Sequence, residues 1–409
     1  MKKYSTYNSA LMKRILTIFL ILWTSNLLAQ EEAKDTSKVT LGAYADGYYS
    51  YYSNGNNSVV QQHDCIGAYH NNFGLNIGQV TAAYDSKKLR GVMTIHFGDI
   101  PQIAWGGQYR NLQEANAGVR LRERLWLDVG FFKTHVGTES FLPKDNLMSI
   151  ITLGTFYGPF YQSGARLSYD TKNDWHFELH AINGYNRHVD DNQYKTFGLL
   201  MSKEFNDKFS MSYSNMMGQE NVGLLNDGYL VYQNVYANIE SKKLSIQIGL
   251  DVATAKQWKI GHNSGNWNSP LIAGLVTAKY KFNERWSLSG RGEVFIDDDG
   301  VNSTNLFPRM IDQYSQGVLV QTLPQNGRDH KTYGGLNIYG GTIGVEYKPT
   351  PNGFLRIETR VLHNTNAVVS SYPEGYKDSF TGMNPMLDTR VQALISAGFY
   401  FDKTFKFAK

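Results

Sequence analysis

The chain has 409 residues, 13% of them aromatic, with 39 glycines, a single cysteine and a mean hydropathy of −0.39. Its one long apolar run, Ile15 to Trp23, falls short of the ~20 residues that a spanning helix needs, which excludes a helical membrane protein. The formal charge of +4 sits entirely in the first 29 residues: without Lys2, Lys3, Lys13 and Arg14 the chain keeps 36 basic residues against 36 acidic ones, and nothing supports a basic nucleic-acid face.

Lys13-Arg14, the apolar run and Ala29 form a basic, an apolar and a small-residue region in that order, so residues 1–29 are expected to be a secretory signal peptide cleaved after Ala29. Met12 is an alternative initiator to Met1. Residues 30–38, rich in charge, are expected to be a disordered lead-in to one domain spanning residues 39–409. Cys65 falls in a predicted loop and has no partner for a disulfide.

Beyond the lead-in, apolar residues recur at every second position in segment after segment, as a wall between lipid and water requires. Leu244, Ile246, Ile248, Leu250 and Val252 alternate with Ser245, Gln247, Gly249, Asp251 and Ala253; Leu355, Ile357 and Val361 alternate with Arg356, Glu358 and Arg360. In chain order the predicted strands are 39–52, 71–84, 88–98, 111–119, 125–137, 158–170, 175–184, 194–204, 209–219, 229–240, 244–256, 269–282, 286–297, 336–348, 354–364 and 388–402. Short polar turns such as Asp85-Ser86-Lys87-Lys88, Glu240-Ser241-Lys242-Lys243 and Asn283-Glu284-Arg285 carry aromatic neighbours, including Tyr84, Tyr169, Trp175, Phe205, Phe282, Trp286 and Tyr347. Rings favour the level where hydrocarbon meets headgroup, so these turns are expected at one membrane face. Soluble hairpins also favour aromatics, but regularly alternating short and long connections point to an all-β transmembrane antiparallel barrel with short periplasmic turns and long external loops.

Arg120-Leu121-Arg122-Glu123-Arg124 decides the strand count. Read as a short turn it gives sixteen strands, which is preferred; read as an inward arginine ladder it gives fourteen. The eight long connections are centred on 53–70, 99–110, 138–157, 185–193, 220–228, 257–268, 298–335 and 365–387. The C-terminal strand either extends to Phe407 or carries an internal assembly signal, since Phe401 is followed by a further eight residues.

Several stretches also resemble a known family. Leu112-Gln113-Glu114-Ala115, Val129-Gly130-Phe131-Phe132-Lys133-Thr134, Tyr157-Gly158-Pro159-Phe160-Tyr161, Gly164-Ala165-Arg166-Leu167 and Ala181-Ile182-Asn183-Gly184 are similar to the OmpL-like outer-membrane β-barrel porins. The resemblance runs from about Val39 to the C-terminus and implies a Gram-negative outer-membrane diffusion channel. It transfers few functional residues, because the family is defined by its wall.

The inward phase of the predicted strands carries Asp128, His176, Glu178, His180, Asp251, Arg291, Glu293, Glu346, Arg356, Glu358, Arg360 and Arg390. A lumen lined by both signs would orient dipolar solutes; equally, Arg356, Glu358 and Arg360 would pair across neighbouring strands and stabilise the wall. Residues 138–157 are expected to fold inward and set the pore width, with Glu139, Lys144 and Asp145 as its polar groups and Pro143 redirecting the chain. His176-x-Glu178-x-His180 and Asp297-Asp298-Asp299-Gly300 have ligand chemistry, but cross-strand pairing and a solvated turn are the preferred readings, so no metal or cofactor is expected.

The function expected is passive diffusion of small hydrophilic solutes across the outer membrane of a Gram-negative bacterium, with a homotrimer as one possible assembly. Lipid and the barrel-assembly machinery are the further partners. A surface-binding barrel with a blocked lumen is the alternative. An outer-membrane enzyme ranks third, since no nucleophile motif is present.

Overall fold

The computed structural model describes residues 36–408 except 54, 56–59, 62, 106–108, 191, 223–224, 257–266, 268–269, 299–300, 303–335 and 366–388. The predicted signal peptide, residues 30–35 of the lead-in, Asp299-Gly300 and most of the two longest connections lie outside the described residues.

Sixteen antiparallel strands close into one barrel, each paired with its sequence neighbours and β1 paired with β16. They are β1 (Thr36–Tyr52), β2 (Asn72–Asp85), β3 (Leu89–Phe97), β4 (Leu112–Arg122), β5 (Leu125–Lys133), β6 (Tyr161–Asp170), β7 (Trp175–Ile182), β8 (Thr196–Asn206), β9 (Phe209–Val222), β10 (Leu225–Glu240), β11 (Leu244–Lys256), β12 (Leu271–Lys281), β13 (Trp286–Asp297), β14 (Leu336–Tyr347), β15 (Gly353–Asn364) and β16 (Thr389–Ala408). The arginine-rich segment is a turn at Glu123-Arg124, with Arg124 in the left-handed region at φ 63°. Sixteen strands, not fourteen, is the outcome.

The short turns are encoded by side chains that hold their own backbone. Ser86 Oγ accepts from Leu89 N at 3.1 Å, Ser241 Oγ from Leu244 N at 3.0 Å, and Asn283 Oδ1 from Arg285 N and Trp286 N at 2.9 Å each. Such local bonds replace the ladder where the chain reverses.

The outer face is layered. Val80, Met93, Val129, Leu179, Ile248, Val276, Ile343, Ile357 and Ile395 are exposed at mid-height, with Tyr84, Tyr169, Phe205, Phe282 and Trp286 towards the short turns and Phe73, Phe97, Phe197, Tyr229 and Tyr339 towards the long connections. An aliphatic band between two aromatic girdles is the profile of a bilayer. Twelve residues, as in β13, rise about 30 Å when strands tilt by ~40°, enough to cross the hydrocarbon.

Three departures from the sequence reading concern strand ends and loops. β1 begins at Thr36, inside the expected lead-in, because β16 continues to Ala408 and supplies partners from Thr36↔Ala408 onward. β5 ends at Lys133, four residues early, as the chain turns into the barrel. Two short helices, α1 (Asp99–Ala104) and α2 (Leu153–Phe156), occupy long connections; four to six residues are too few for a helical period to be visible in sequence.

Candidate functional site

The β5–β6 loop, residues 134–160, enters the lumen and crosses to the opposite wall. A buried loop lacks a sheet ladder, so each of its N–H and C=O groups needs another partner. The inward charges supply several of them, and the loop's own groups others, such as Asp145 N to Leu142 O. Arg356 pairs with Glu346 (Nε–Oε2, 2.7 Å) and donates to the carbonyls of Pro143 at 2.8 Å and Asn146 at 3.1 Å. Glu358 accepts from the amides of Ser149 at 2.6 Å and Ile150 at 2.9 Å, and Glu293 from that of Leu153 at 2.8 Å. Arg291 donates to Ile150 O at 2.6 Å and pairs with Glu139 at 3.0 Å; Arg360 donates to Ile151 O at 3.1 Å and pairs with Asp64 of the first loop. Thr138 meets Asn234 and Gln247, and Ser149 Oγ lies 2.9 Å from Ser396 Oγ.

These contacts give half of the inward set partners in the loop and in the wall. Arg291, Glu293, Glu346, Arg356, Glu358 and Arg360 do face the barrel axis, but all are buried, because the loop lies on them. Arg390 is likewise buried, over the Tyr52 ring at 4.2 Å, and Asp251 accepts from Asn234 at 2.9 Å. Lys279, which pairs with Glu346 at 2.7 Å, belongs to the same network and was legible from the same alternation.

A second network, on β3–β7, is wetter. Arg90 clamps Asp128 with two nitrogens, Arg166 reaches Asp128 and Glu178 at 3.3 Å each, and Glu178 is flanked by His176 at 3.2 Å and His180 at 2.9 Å. The side chains of Arg90, Arg166 and His176 are 29%, 22% and 35% exposed, whereas Asp128 is fully covered by its arginines and Glu178 and His180 are buried beside them. The histidine Nε2 atoms of the His-x-Glu-x-His triplet are turned onto Glu178, and His176 Nδ1 lies 2.7 Å from Asp170 Oδ1. Among the described residues no cluster of three His, Cys, Asp or Glu side chains has a metal-holding arrangement.

Towards the long connections the lumen holds an apolar core. Trp105, directly after α1, packs at 4.8 Å from Phe141 and 5.3 Å from Tyr161, and Cys65, Ile66, Ile150, Phe156 and Tyr157 extend the same buried cluster. Burial pushes Asp99 of α1 up to about 6, where Tyr48 OH donates to it, and pulls His63 of the first loop down to about 3. At the root of the β5–β6 loop, His135 stacks on His180 with ring centroids 3.9 Å apart, its Nε2 donating to Asn215 O at 2.8 Å and its Nδ1 lying 2.8 Å from the Gln162 amide. Burial, then the neighbouring His180, lowers His135 to about 4.

Of the expected constriction residues, Glu139 is buried, held by Arg291, Thr152 and Thr155, and so anchors the loop instead of facing water. Lys144 and Asp145 pair at 2.6 Å on the loop's more open side, 22% and 42% exposed. Asp297, expected in a solvated turn, is buried and caps the turn after β13, accepting from Val301 N at 2.6 Å and Asn302 N at 3.0 Å.

No curated protein matches the chain. Among solved structures it is similar to an anion-selective porin from Comamonas acidovorans, with 9% identity, a TM-score of 0.56 and coverage of 89% of this chain and 100% of that one. It is also similar to Salmonella typhi OmpF in complex with daunomycin, with 13% identity, a TM-score of 0.54 and coverage of 89% and 97%. The trimer form of OmpT, an outer membrane protein of Vibrio cholerae, follows with 11% identity, a TM-score of 0.50 and coverage of 89% and 99%. At such identities the likeness is one of fold. The family model described as "Putative beta-barrel porin-2, OmpL-like" matches residues 38–401, and with its sixteen-stranded barrel the chain belongs to that family of porin-like channels.

Proposed function

We propose that the protein is a passive channel for small hydrophilic solutes in the outer membrane of a Gram-negative bacterium, narrowed from within by the β5–β6 loop. The observation that carries this reading is the seating of that loop: its backbone is hydrogen-bonded to inward side chains of β13 and β15, and its side chains reach β10 and β16. With that wall covered, solutes pass along β3–β7, where Arg90 and Arg166 face Asp128 and Glu178. The signs nearly cancel there, and weak ion selectivity follows. Lys144 and Asp145, on the loop's open side, are the constriction residues of this reading. The trimer form of one structural neighbour supports a homotrimer, and a secretory signal in residues 1–29 supports export.

A second reading is favoured by the apolar core around Trp105 and Phe141: a barrel whose lumen stays shut while its long loops bind a partner. Planar-bilayer recording of the purified protein separates the two. Discrete conductance steps with a reversal potential close to zero in a salt gradient are expected; a folded barrel that remains silent supports the second reading.

A further inference from the structure

We infer that the outer face of β8–β10 is where copies of this chain meet, with Asn215 and Gln233 beside the symmetry axis. The two residues are direct cross-strand partners, Gln233 on β10 opposite Asn215 on β9, and both lie near the middle of their strands. Their side chains point outward, since the neighbouring positions Ser214, Met216, Tyr232 and Asn234 are the buried, inward ones. At mid-height elsewhere the exposed outer side chains are apolar, as at Val80, Leu179, Ile248, Ile343 and Ile357.

Carboxamides facing hydrocarbon need partners, because lipid tails offer none. The barrel supplies some: Leu199 N donates to Asn215 Oδ1 at 3.2 Å, Asn215 Nδ2 to Tyr213 OH at 3.0 Å, and Tyr213 OH to Gln233 Oε1 at 3.2 Å. This relay ends at Gln233, whose amide nitrogen donates no hydrogen bond among the described residues. The free donors therefore collect at one exposed point. Met211 and Met217, both exposed beside it, are unbranched side chains that adapt to an opposing surface.

The occupant must offer an acceptor at the same depth in the bilayer. A second copy of this chain inserts to the same depth in the same orientation, so symmetry about the membrane normal brings Gln233 to Gln233 and Asn215 level with its counterpart. A primary amide is donor and acceptor at once, so identical side chains satisfy one another. The same geometry holds about a twofold or a threefold axis, provided that β9–β10 face it.

The test is cross-linking in lipid bilayers. In a Cys65→Ala background, Gln233→Cys is expected to give a thiol-reversible cross-linked dimer on oxidation, while Ile357→Cys at similar height on the far wall gives none. Independently, Asn215→Leu with Gln233→Leu, which makes the outer face more apolar, is expected to fold, as followed by the gel shift of the unheated barrel, and to lose the oligomer seen for the unaltered protein in nanodiscs. A monomeric unaltered protein, an oligomer undiminished in the double-leucine variant, or equal cross-linking from Ile357→Cys overturns the inference. These readouts are of mass, so a silent channel leaves them intact.

Discussion

At Arg356 a guanidinium meets a carboxylate on one side and two loop carbonyls on the other, while its neighbour Ile357 meets lipid. Adjacent positions on one strand therefore fail differently. Ile357→Arg places a charge on the mid-bilayer face at a cost of ~2–4 kcal/mol and is expected to impair barrel assembly. Arg356→Ala leaves the Pro143 and Asn146 carbonyls without their donor, each worth about 1–3 kcal/mol when buried, and is expected to free the loop within an intact barrel. Heat-modifiable gel migration reads the first effect and trypsin cleavage at Lys144 the second; cleavage unchanged by Arg356→Ala would mean the loop is held elsewhere. Titration gives a further residue-scale outcome. His135 prefers its neutral form when docked, so its contribution is complete above pH ~6.5 and is lost as pH falls towards about 4. Asp99 has the opposite sign: its pKa is raised, so the docking of α1 is complete below the ordinary carboxylate range and weakens as pH rises through about 6. Segment-resolved hydrogen exchange at pH 4.5 and 7.5 should show the loop root opening in acid and α1 opening in base, and His135→Asn should flatten the first response alone.

At the scale of elements, strand alternation was readable because a two-residue period survives on both faces, and it located the inward charges. What the alternation could not show is what those charges touch. A loop that borrows side chains from distant strands leaves no local pattern, so Glu139 was legible as polar but not as the partner of Arg291. Glycines held the missing signal. A Cβ on Gly249 would fall 2.6 Å from Thr138 Cγ2, one on Gly198 2.5 Å from His135 Cε1, and one on Gly344 3.1 Å from Met148 Cε. Three wall positions are thus kept bare where three loop side chains land. In a strand, glycine otherwise marks a bulge or a close approach, and the sequence alone does not distinguish them. Gly249→Leu is expected to leave strand pairing intact, since its effect falls on the lumen side, but to displace Thr138 and undock the loop root; overpacking of this kind costs about 1–3 kcal/mol. Conductance raised to the level of a loop deletion, with unaltered heat-modifiability, checks this.

For the whole molecule, the barrel follows from lipid outside and satisfied backbone inside, and both demands are written into every strand. The lumen follows a different logic. Its charges form two networks: one along β13–β15 binds a loop, and the other, on β3–β7, keeps Arg90 and Arg166 partly exposed. Replacing Arg356 and Arg360 would therefore loosen the loop before it shifted selectivity, whereas Arg90 and Arg166, on the open side, are the arginines whose loss should move preference towards cations. The claim on which this rests is that the β5–β6 loop is the constriction. The Asn146 side chain bridges both backbone groups of Ser140, with Ser140 N donating at 2.9 Å and Asn146 Nδ2 donating to Ser140 O at 2.6 Å, so the chain that leaves at Ser140 returns to it at Asn146 and residues 141–147 can be excised. Single-channel conductance of that deletion is the most direct measurement: the account predicts a several-fold rise over the unaltered protein in a barrel that still shows heat-modifiable migration, and a conductance equal to that of the unaltered protein would contradict it.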